Sequence, residues 1–278
     1  TYMALKKGQT GISPIKQWDI TDWEFKLGGE IKNTDSRQLI SDRKLLKLIS
    51  RQDVIGLNAV QQALEHSKLL SFRDSLKIDS QMSFNDKTGV FVGSPGNRFE
   101  QQYDFLPVFK DSKNNLKTFG EKIFEHIHPM WLLRILPNNV LAYTGIQYGF
   151  KGVNENIVNH AVSSTQAISE ACRYLRLGTI DRAVIVGYEC GVEPEGQIYY
   201  GSLGLLSSRG IFSFDEKRDG TVLAEGAGCL ILERYESALE RKATIYGDIL
   251  GESIVTEAQG IFGIREDGEG VLRAIQMA

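Results

Sequence analysis

Three short apolar runs, separated by a long amphipathic stretch, most constrain the fold of this chain. The runs are TGVFVGS (Thr88 to Ser94), RAVIVG (Arg182 to Gly187) and GCLILE (Gly228 to Glu233). Continuous apolar runs of this length are typical of strands covered on both faces. Before the second run, STQAISEACRYLRLG places its apolar residues on one helical face and ends at a glycine. Those apolar residues are Ala167, Ile168, Ala171, Cys172 and Leu175. The alternation predicts an α/β fold with a mixed, mostly parallel sheet between helical layers.

Four further segments complete this assignment. DVIGLNAVQQALEHS (Asp53 to Ser67) has an apolar helical stripe, and ENIVNH (Glu155 to His160) is predicted to be a strand. Asn97 to His128 is polar and aromatic with few regular signals, so we predict an irregular excursion over the surface. FDEKRDGTVLAEGAG (Phe214 to Gly228) lacks both common phosphate-loop patterns. It is predicted to be a turn-rich connection whose glycines allow close backbone approach and lead into a strand.

The composition limits the classes of function. The 278 residues carry a net charge of −3, which argues against nucleic-acid binding through a global positive field. No apolar run approaches the roughly 18 residues of a membrane span, and the amino terminus lacks the apolar core of a signal peptide. The three cysteines are scattered, which favours a reducing cytoplasm over a disulfide framework. His126 and His128 are the one close histidine pair and have no cysteine nearby, so we predict no metal site and no cofactor.

The junction between ENIVNH and the helix that begins near Ser163 is the candidate chemical site. A side chain there lies at the positive end of a helix, which lowers the pKa of a cysteine and helps to stabilise an oxyanion. The residue present is Ala161. Ser163 and Ser164 are possible nucleophiles, but serines at a helix start are more typical of caps. His160 is more typical of a packed or interface residue than of a base.

The cysteines do not supply a substitute in this interpretation. Cys172 lies on the apolar face of a predicted helix, and Cys229 lies inside a predicted buried strand. Both are predicted to be inert core residues. Cys190 follows a predicted strand, and we interpret it as a loop cysteine that is more exposed than the other two.

A basic cluster is the remaining candidate surface. Arg43, Lys44 and Lys47, with Arg51 one helical turn further on, form a small basic face. Such a face is usually a solvated helix surface, and the alternative is a docking patch for an acidic partner.

Several stretches together resemble the β-ketoacyl synthase (ketosynthase) family, which has the thiolase fold. FDEKRDGTVLAEGAGCLILE closely resembles the family signature FDxxRDGxVxGEGAGxLxLE, and departs from it only where Ala224 replaces a glycine. YGFKGVN (Tyr148 to Asn154) resembles the segment that leads into the family's active-site strand. ALKKGQTGISPI and DRKLLKLISRQDVIGLNAVQQAL resemble an early family stretch and its first long helix region.

The resemblance implies a reaction and also a defect in this chain. Members use a cysteine thiolate to take an acyl group from acyl carrier protein, and then join it to a decarboxylated malonyl unit. An ungapped alignment through KGVN puts the family cysteine at Ala161. Family histidine, lysine and glycine-rich motifs would lie beyond EGVLRAIQMA, and the first strand would precede TYMAL. The resemblance therefore predicts that residues 1–278 are an N-terminal ketosynthase domain fragment.

Three functions remain open on this basis. Cysteine-less relatives called chain-length factors pair with an active ketosynthase, although they tend to carry glutamine where this chain has Ala161. The second possibility is an enzyme that decarboxylates malonyl-carrier protein or condenses acyl chains as a 3-oxoacyl-acyl carrier protein synthase. The third is a degraded pseudoenzyme that only binds.

The resemblance also implies residue roles. Arg43, Lys44 and Lys47 match the family's carrier-protein docking helix. The strand that contains Ile157 and Asn159 matches the edge strand through which the family dimerises, so we expect a homodimer or a heterodimer with an active ketosynthase. Met130 or Trp131 matches a position that reaches the neighbour's acyl tunnel, though Trp131 is equally compatible with a plain core residue.

Overall fold

The computed structural model describes residues 2–32, 35–40, 42–96, 102–260 and 263–278. Its strands are β1 (Ser13–Pro14), β2 (Leu27–Gly28), β3 (Thr88–Gly93), β4 (Asn154–Ile157), β5 (Arg182–Cys190) and β6 (Glu225–Glu233). Its first helices are α1 (Tyr2–Lys6), α2 (Ser36–Leu39), α3 (Arg51–Ser67), α4 (Leu69–Ser75), α5 (Ile78–Asp86), α6 (Gln102–Asp111) and α7 (Leu116–His126). The later helices are α8 (Trp131–Arg134), α9 (Asn139–Tyr148), α10 (Ser163–Arg176), α11 (Pro194–Ser202), α12 (Tyr235–Glu240) and α13 (Glu269–Met277). Two 3₁₀ turns cover Leu45–Lys47 and His160–Val162.

The chain divides into two compact units. The first unit comprises Thr1–Ala59, Pro95–Asn139 and Tyr188–Gly228, and the second comprises Val60–Ser94, Val140–Gly187 and Cys229–Ala278.

The predicted long helix is confirmed as α3. Its apolar stripe is buried along the whole helix, as the 3.6-residue period requires.

The second unit is built on a four-stranded sheet with the order β4-β3-β5-β6. The fully buried strand β3 pairs in parallel with both β4 and β5. At the carboxyl edge, Gly93 of β3 lies opposite Ile157 of β4 and Gly187 of β5. The predicted α/β class with a mostly parallel sheet is therefore confirmed.

Helix α10 covers this sheet with small residues. Ala167 and Ala171 are fully buried against a core that includes Phe91 and Ile185. Short side chains bring the helix axis close to the sheet, and the left-handed Gly178 (φ 68°) lies just beyond the helix end, as predicted.

Two strand predictions needed correction. β4 ends at Ile157 rather than His160, because the Ile157 carbonyl accepts the Ser94 N–H and the chain then turns away from the sheet. β6 is not covered on both faces, because its burial alternates along the strand and Leu230 is 47% exposed. Composition alone does not reveal that one face of this apolar run lacks a covering layer in the described residues.

The predicted irregular excursion was wrong in its described part. Residues 97–101 lie outside the described residues, but α6 and α7 form a helical hairpin in the first unit. The Asn115 side chain caps α7 by accepting the N–H groups of Lys117 and Thr118. Phe109 and Phe119 then pack edge to face, with ring centroids 5.5 Å apart, which holds the two helices together.

The turn-rich connection before β6 is confirmed in the first unit. Gly220 has a φ of 152°, and an added Cβ would lie 2.6 Å from the carbonyl carbon of Leu206. Glycine is therefore needed there both for the backbone conformation and for close approach. β1 and β2 form a separate antiparallel pair in the same unit.

Candidate functional site

The residues between β4 and α10, Val158 to Val162, form what we call the elbow turn. They follow the carboxyl end of a parallel strand and run through a 3₁₀ turn into the first residue of α10, Ser163. The carboxyl ends of parallel strands, next to a helix amino terminus, are where α/β folds usually bind ligands. Ala161 is exposed in this turn. The structure thus confirms the predicted strand-to-helix junction, with the methyl group of Ala161 between β4 and α10.

The elbow turn is held by the hydroxyl of Ser163. The Asn159 N–H donates to Ser163 Oγ at 2.8 Å, and Ser163 Oγ donates to the His160 carbonyl at 2.8 Å. These two bonds span Ala161 and fix His160 in the left-handed region (φ 46°), an uncommon conformation for a residue with a side chain. Ser163 is only 4% exposed, and both hydrogen bonds of its hydroxyl are made to backbone groups. This hydroxyl is therefore unsuited to act as a nucleophile.

Two corrections follow for this turn. The predicted capping role of Ser163 and Ser164 was wrong in its geometry, since the start of α10 has no side-chain capping bond. Ser163 instead binds backbone groups that precede the helix. His160 is exposed in this chain, so the packed alternative was wrong, and its place in an interface stays a prediction.

Two glycines at the carboxyl edge of the sheet, Gly93 and Gly187, allow the start of α10 to lie close to the strands. A Cβ added at Gly93 would lie 2.5 Å from both the Cα and the N of Ser164. A Cβ added at Gly187 would lie 2.2 Å from Ser164 Oγ. Since real Cβ atoms do not approach backbone atoms this closely, glycine at Gly93 is required for the observed position of the helix, whereas a side chain at Gly187 would first displace the Ser164 side chain.

Burial disfavours the thiolate form of two of the three cysteines. Burial raises the pKa of Cys172, and the neighbouring Glu252 raises it further. Cys229, which was predicted to be a core residue, is only half-buried on β6, and the burial of its thiol raises its pKa to about 12. Cys190 was predicted to be an exposed loop residue, which was wrong: it is the last residue of β5 and is buried. A thiol that stays protonated is a poor nucleophile.

The histidine pair, His126 and His128, lies at and just beyond the end of α7. His126 is the last residue of α7, and His128 Nδ1 accepts the N–H of Met130 at 3.1 Å. Across the described residues, no group of three or more histidine, cysteine or acidic side chains is arranged to hold a metal ion.

The basic cluster is smaller than predicted. Arg43, Lys44 and Lys47 are exposed, but they lie in and just before a 3₁₀ turn rather than on an α-helix. Arg51 is not part of this face. Its guanidinium binds Glu225 with Nε to Oε1 at 2.9 Å and a second nitrogen to Oε2 at 2.7 Å.

Glu225 is the centre of a buried network in the first unit that the sequence did not reveal. Its side chain is 1% exposed, and it also accepts the Ile31 N–H at 2.7 Å and the Gln17 amide at 3.1 Å. Burial raises the pKa of Glu225, but the hydrogen bonds from Arg51 and Ile31 and the charge of Arg51 outweigh it and leave the pKa below its ordinary value. Glu225, the acidic residue of the EGAG stretch (residues 225–228), therefore pairs with Arg51, which is 174 residues away in sequence.

The remaining predicted positions divide between the two units. Ile157 is half-buried at the end of the edge strand β4, and the exposed Asn159 donates its amide to Gln166 at 3.0 Å. In the first unit, Met130 and Trp131 are half-buried, and Trp131 packs edge-on against Phe105 with centroids 5.8 Å apart. The structure places Asn159 with Ala161 in the elbow turn, directly after Ile157 at the end of β4.

Comparison with known proteins identifies the family. A family model described as "Beta-ketoacyl synthase, N-terminal domain" matches residues 1–238 of the chain. The chain belongs to the β-ketoacyl synthase family. It is 31% identical over 283 residues to a protein of Synechocystis sp. named 3-oxoacyl-[acyl-carrier-protein] synthase 2, an alignment that covers 100% of this chain and 63% of the relative.

Solved structures show the same thiolase-like fold. A β-ketoacyl synthase from Burkholderia phymatum matches with a TM-score of 0.76 at 21% identity, over 100% of this chain and 64% of that one. A structure titled "The ishigamide ketosynthase/chain length factor" matches with a TM-score of 0.77 at 18% identity, over 99% of this chain and 64% of that one. The chain thus spans slightly less than two thirds of the proteins that it resembles. No helix among the described residues is long and apolar enough to cross a membrane.

Proposed function

We propose that this chain is part of a chain-length-factor-type protein in fatty-acid or polyketide synthesis. Such a protein lacks the nucleophilic cysteine and pairs with an active β-ketoacyl synthase. The observation that carries the proposal is Ala161, a methyl group in an intact elbow turn at the start of α10. Covalent acyl transfer requires a nucleophile that splits one difficult step into two. A methyl group has no lone pair to attack a thioester carbonyl.

The surroundings support the same conclusion. The hydroxyl of Ser163 accepts the Asn159 N–H and donates to the His160 carbonyl, so its proton is bound by the backbone rather than by a base. Cys172 and Cys229 have raised pKa values and lie outside the turn. Both observations support a family scaffold that lacks the attacking atom.

A malonyl-carrier-protein decarboxylase is the second candidate. The observation that favours it is the preserved backbone of the elbow turn, with its left-handed His160 and the α10 amino terminus. Loss of carbon dioxide from a malonyl group needs stabilisation of an enolate rather than a covalent nucleophile. Condensation as a 3-oxoacyl-acyl carrier protein synthase would require a nucleophile at Ala161, which this candidate does not.

Acyl carrier protein is the proposed partner of the basic cluster. Arg43, Lys44 and Lys47 are exposed on one short stretch, which suits an acidic partner. Charge reversal of Lys44 and Lys47 to glutamate should weaken carrier binding at least tenfold in a titration at low salt, and added salt should shrink the difference. Lys77→Glu, an exposed change in the second unit, is the matched control. Equal affinities of the reversed and control variants would remove the docking assignment.

A dimer through β4 is the proposed assembly, either with a second copy or with an active ketosynthase. β4 is at the edge of the sheet, with Ile157 half-buried at its end and Asn159 exposed beside it. An edge strand offers unpaired backbone groups to a partner strand. Met130 and Trp131 are the residues that we propose to reach the partner's acyl tunnel. We also propose a cytoplasmic location, because the cysteines are scattered. The proposed function requires no cofactor.

Release of carbon dioxide from malonyl-carrier protein tests the proposal. The full-length protein is measured alone and as Ala161→Cys, with folding and dimer state checked for both forms. We expect no release by the unmodified protein. Release by the unmodified protein would instead establish the decarboxylase and remove the non-catalytic assignment.

A further inference from the structure

Strand β4 is a free edge of the second unit's sheet in the part of the chain that the structure describes. It pairs with β3 on one side, and no described strand pairs with its other side. The carbonyls of Val153 and Ile157 accept N–H groups from β3 and from the residue after it. Since backbone groups alternate in direction along a strand, those of Asn154 and Asn156 point to the open edge. Such an edge is a template for a strand of another chain.

The side chain of Glu155 places a carboxylate on this edge strand. Glu155 Oε1 accepts the hydroxyl of Tyr174 at 3.0 Å, which holds the carboxylate on the face of the sheet that α10 covers. The Glu155 side chain is 28% exposed, and the Arg173 guanidinium lies 4.0 Å away. Arg173 also binds Glu170 at 2.7 Å, so two carboxylates share one guanidinium. This group of side chains therefore carries one more negative than positive charge.

A second copy of this chain would meet its own charge at this edge. Two identical strands that pair edge to edge in an antiparallel, closed dimer are related by a two-fold axis. Because the outward-facing residues form the hydrogen-bonded pairs, the registers that use most of β4 centre on Glu155 or on Asn156. The first register puts the two Glu155 side chains opposite each other, with Cβ atoms about 4.5–5.5 Å apart, and the second puts them diagonally, about 7–8 Å apart. Like charges at such positions destabilise the pairing.

A different partner removes this conflict. A strand with lysine or arginine opposite Glu155 would replace the repulsion by an ion pair, and it would neutralise the excess charge of the group. Tyr174 already holds the carboxylate, so little side-chain ordering is needed on this side of the contact. The charge pattern thus favours a basic, non-identical strand over a second copy.

We propose that Glu155 makes β4 selective for a non-identical partner: its carboxylate disfavours a second copy of this chain and selects a strand that carries a cation opposite it. That the partner is an active ketosynthase rests on the proposed function, whereas the selection against a second copy rests on the charge of the edge. Glu155 acts in the choice of partner and not in bond making.

A charge-swapped copy of this protein tests the selection without an identified partner. Glu155→Lys supplies the same strand with the opposite charge. Glu155→Gln removes the charge, while its amide oxygen can still accept the Tyr174 hydroxyl. Glu236→Lys is the control, because it makes the same change at an exposed residue of α12, which follows β6 at the opposite edge of the sheet. Sedimentation of the full-length proteins, alone and in pairs, at low and at high salt, gives the dissociation constants.

We expect the unmodified protein to form a dimer with Glu155→Lys that is about tenfold tighter than the dimer it forms alone. Glu155→Gln alone should self-associate about tenfold more tightly than the unmodified protein at low salt. Added salt should weaken the mixed dimer and strengthen self-association of the unmodified protein, because it screens attraction and repulsion alike. Glu236→Lys should self-associate as the unmodified protein does.

Two results would overturn the selection. One is self-association of the unmodified protein that equals that of Glu155→Gln at low salt. The other is a mixture with Glu155→Lys that is no tighter than the mixture with Glu236→Lys. Melting temperatures show first that each variant is folded, and if Glu155→Lys is not, the comparison with Glu155→Gln decides alone. These readouts do not involve release of carbon dioxide, so a failed selection and a failed non-catalytic assignment are separate results.

Discussion

The elbow turn and the EGAG stretch differ in what their sequences reveal. Glu225 opens the stretch that most closely matches the family signature, yet in this chain its buried carboxylate binds Arg51 and Ile31 and supports the scaffold. The elbow turn has little sequence signature, yet in our proposal Ala161 in it decides whether covalent chemistry is possible. The comparison teaches that a strong motif identifies a family and its fold, while the proposed chemistry depends on a single weakly marked position.

Removal of the Glu225 charge should produce the largest effect on stability. Glu225→Gln removes a buried charge, 1% exposed, that faces the 30% exposed Arg51 side chain, so we expect a loss of about 2–3 kcal/mol in the free energy of unfolding. Urea denaturation at neutral pH measures it. Asp219→Asn is the control, since its ion pair with Arg209 is exposed and its loss should be much smaller.

The same variant makes a prediction about pH. Because the folded-state pKa of Glu225 is lowered, its ionised form stabilises the folded state above the ordinary glutamate pKa of about 4.3. That contribution is lost as the pH falls through the folded-state pKa. The difference between the unmodified protein and Glu225→Gln should therefore shrink below about pH 4.3. A difference that stays constant from neutral to acidic pH would contradict the assigned network.

The contrast also explains how much the sequence predicted. Regular periodicity was sufficient for α3, β3 and α10, because each buries one consistent face or a continuous run. The α6–α7 hairpin was missed because its contact between Phe109 and Phe119 is not a periodic signal, and α6 contains Pro107. Long-range contacts likewise have no local signature.

The candidate site follows the same rule. The position of Ala161 was predicted because it depends on local order, a strand followed by a helix. The bonds of Ser163 to backbone groups depend on the conformation of the turn, which residue types do not specify. Arg51 was assigned to the wrong surface because its partner Glu225 is far away along the chain.

Loss of the Ser163 hydroxyl should have an intermediate effect. Ser163→Ala removes both bonds that span Ala161, so we expect a loss of about 1 kcal/mol in the free energy of unfolding, measured by urea denaturation. Ser164→Ala, a change at the exposed neighbouring serine, is the matched control and should cost less. If the two variants were equally stable, the hydroxyl of Ser163 would not be what holds the turn.

Ala161→Cys should have the smallest effect on stability and the most informative effect on chemistry. The side chain is exposed, so the free energy of unfolding should change by less than about 0.5 kcal/mol. The new thiol would lie at the start of α10, where the helix dipole favours the thiolate and lowers its pKa below the ordinary value of about 8.5. The rate of alkylation by iodoacetamide, measured against pH, reports this pKa. Cys172 and Cys229 should react slowly over the same range, because burial raises their pKa values. A pKa at or above the ordinary value in Ala161→Cys would mean that the turn has lost the electrostatics of a nucleophile site as well as the nucleophile. A lowered pKa would support the proposal that the departure from the family site is confined to residue 161.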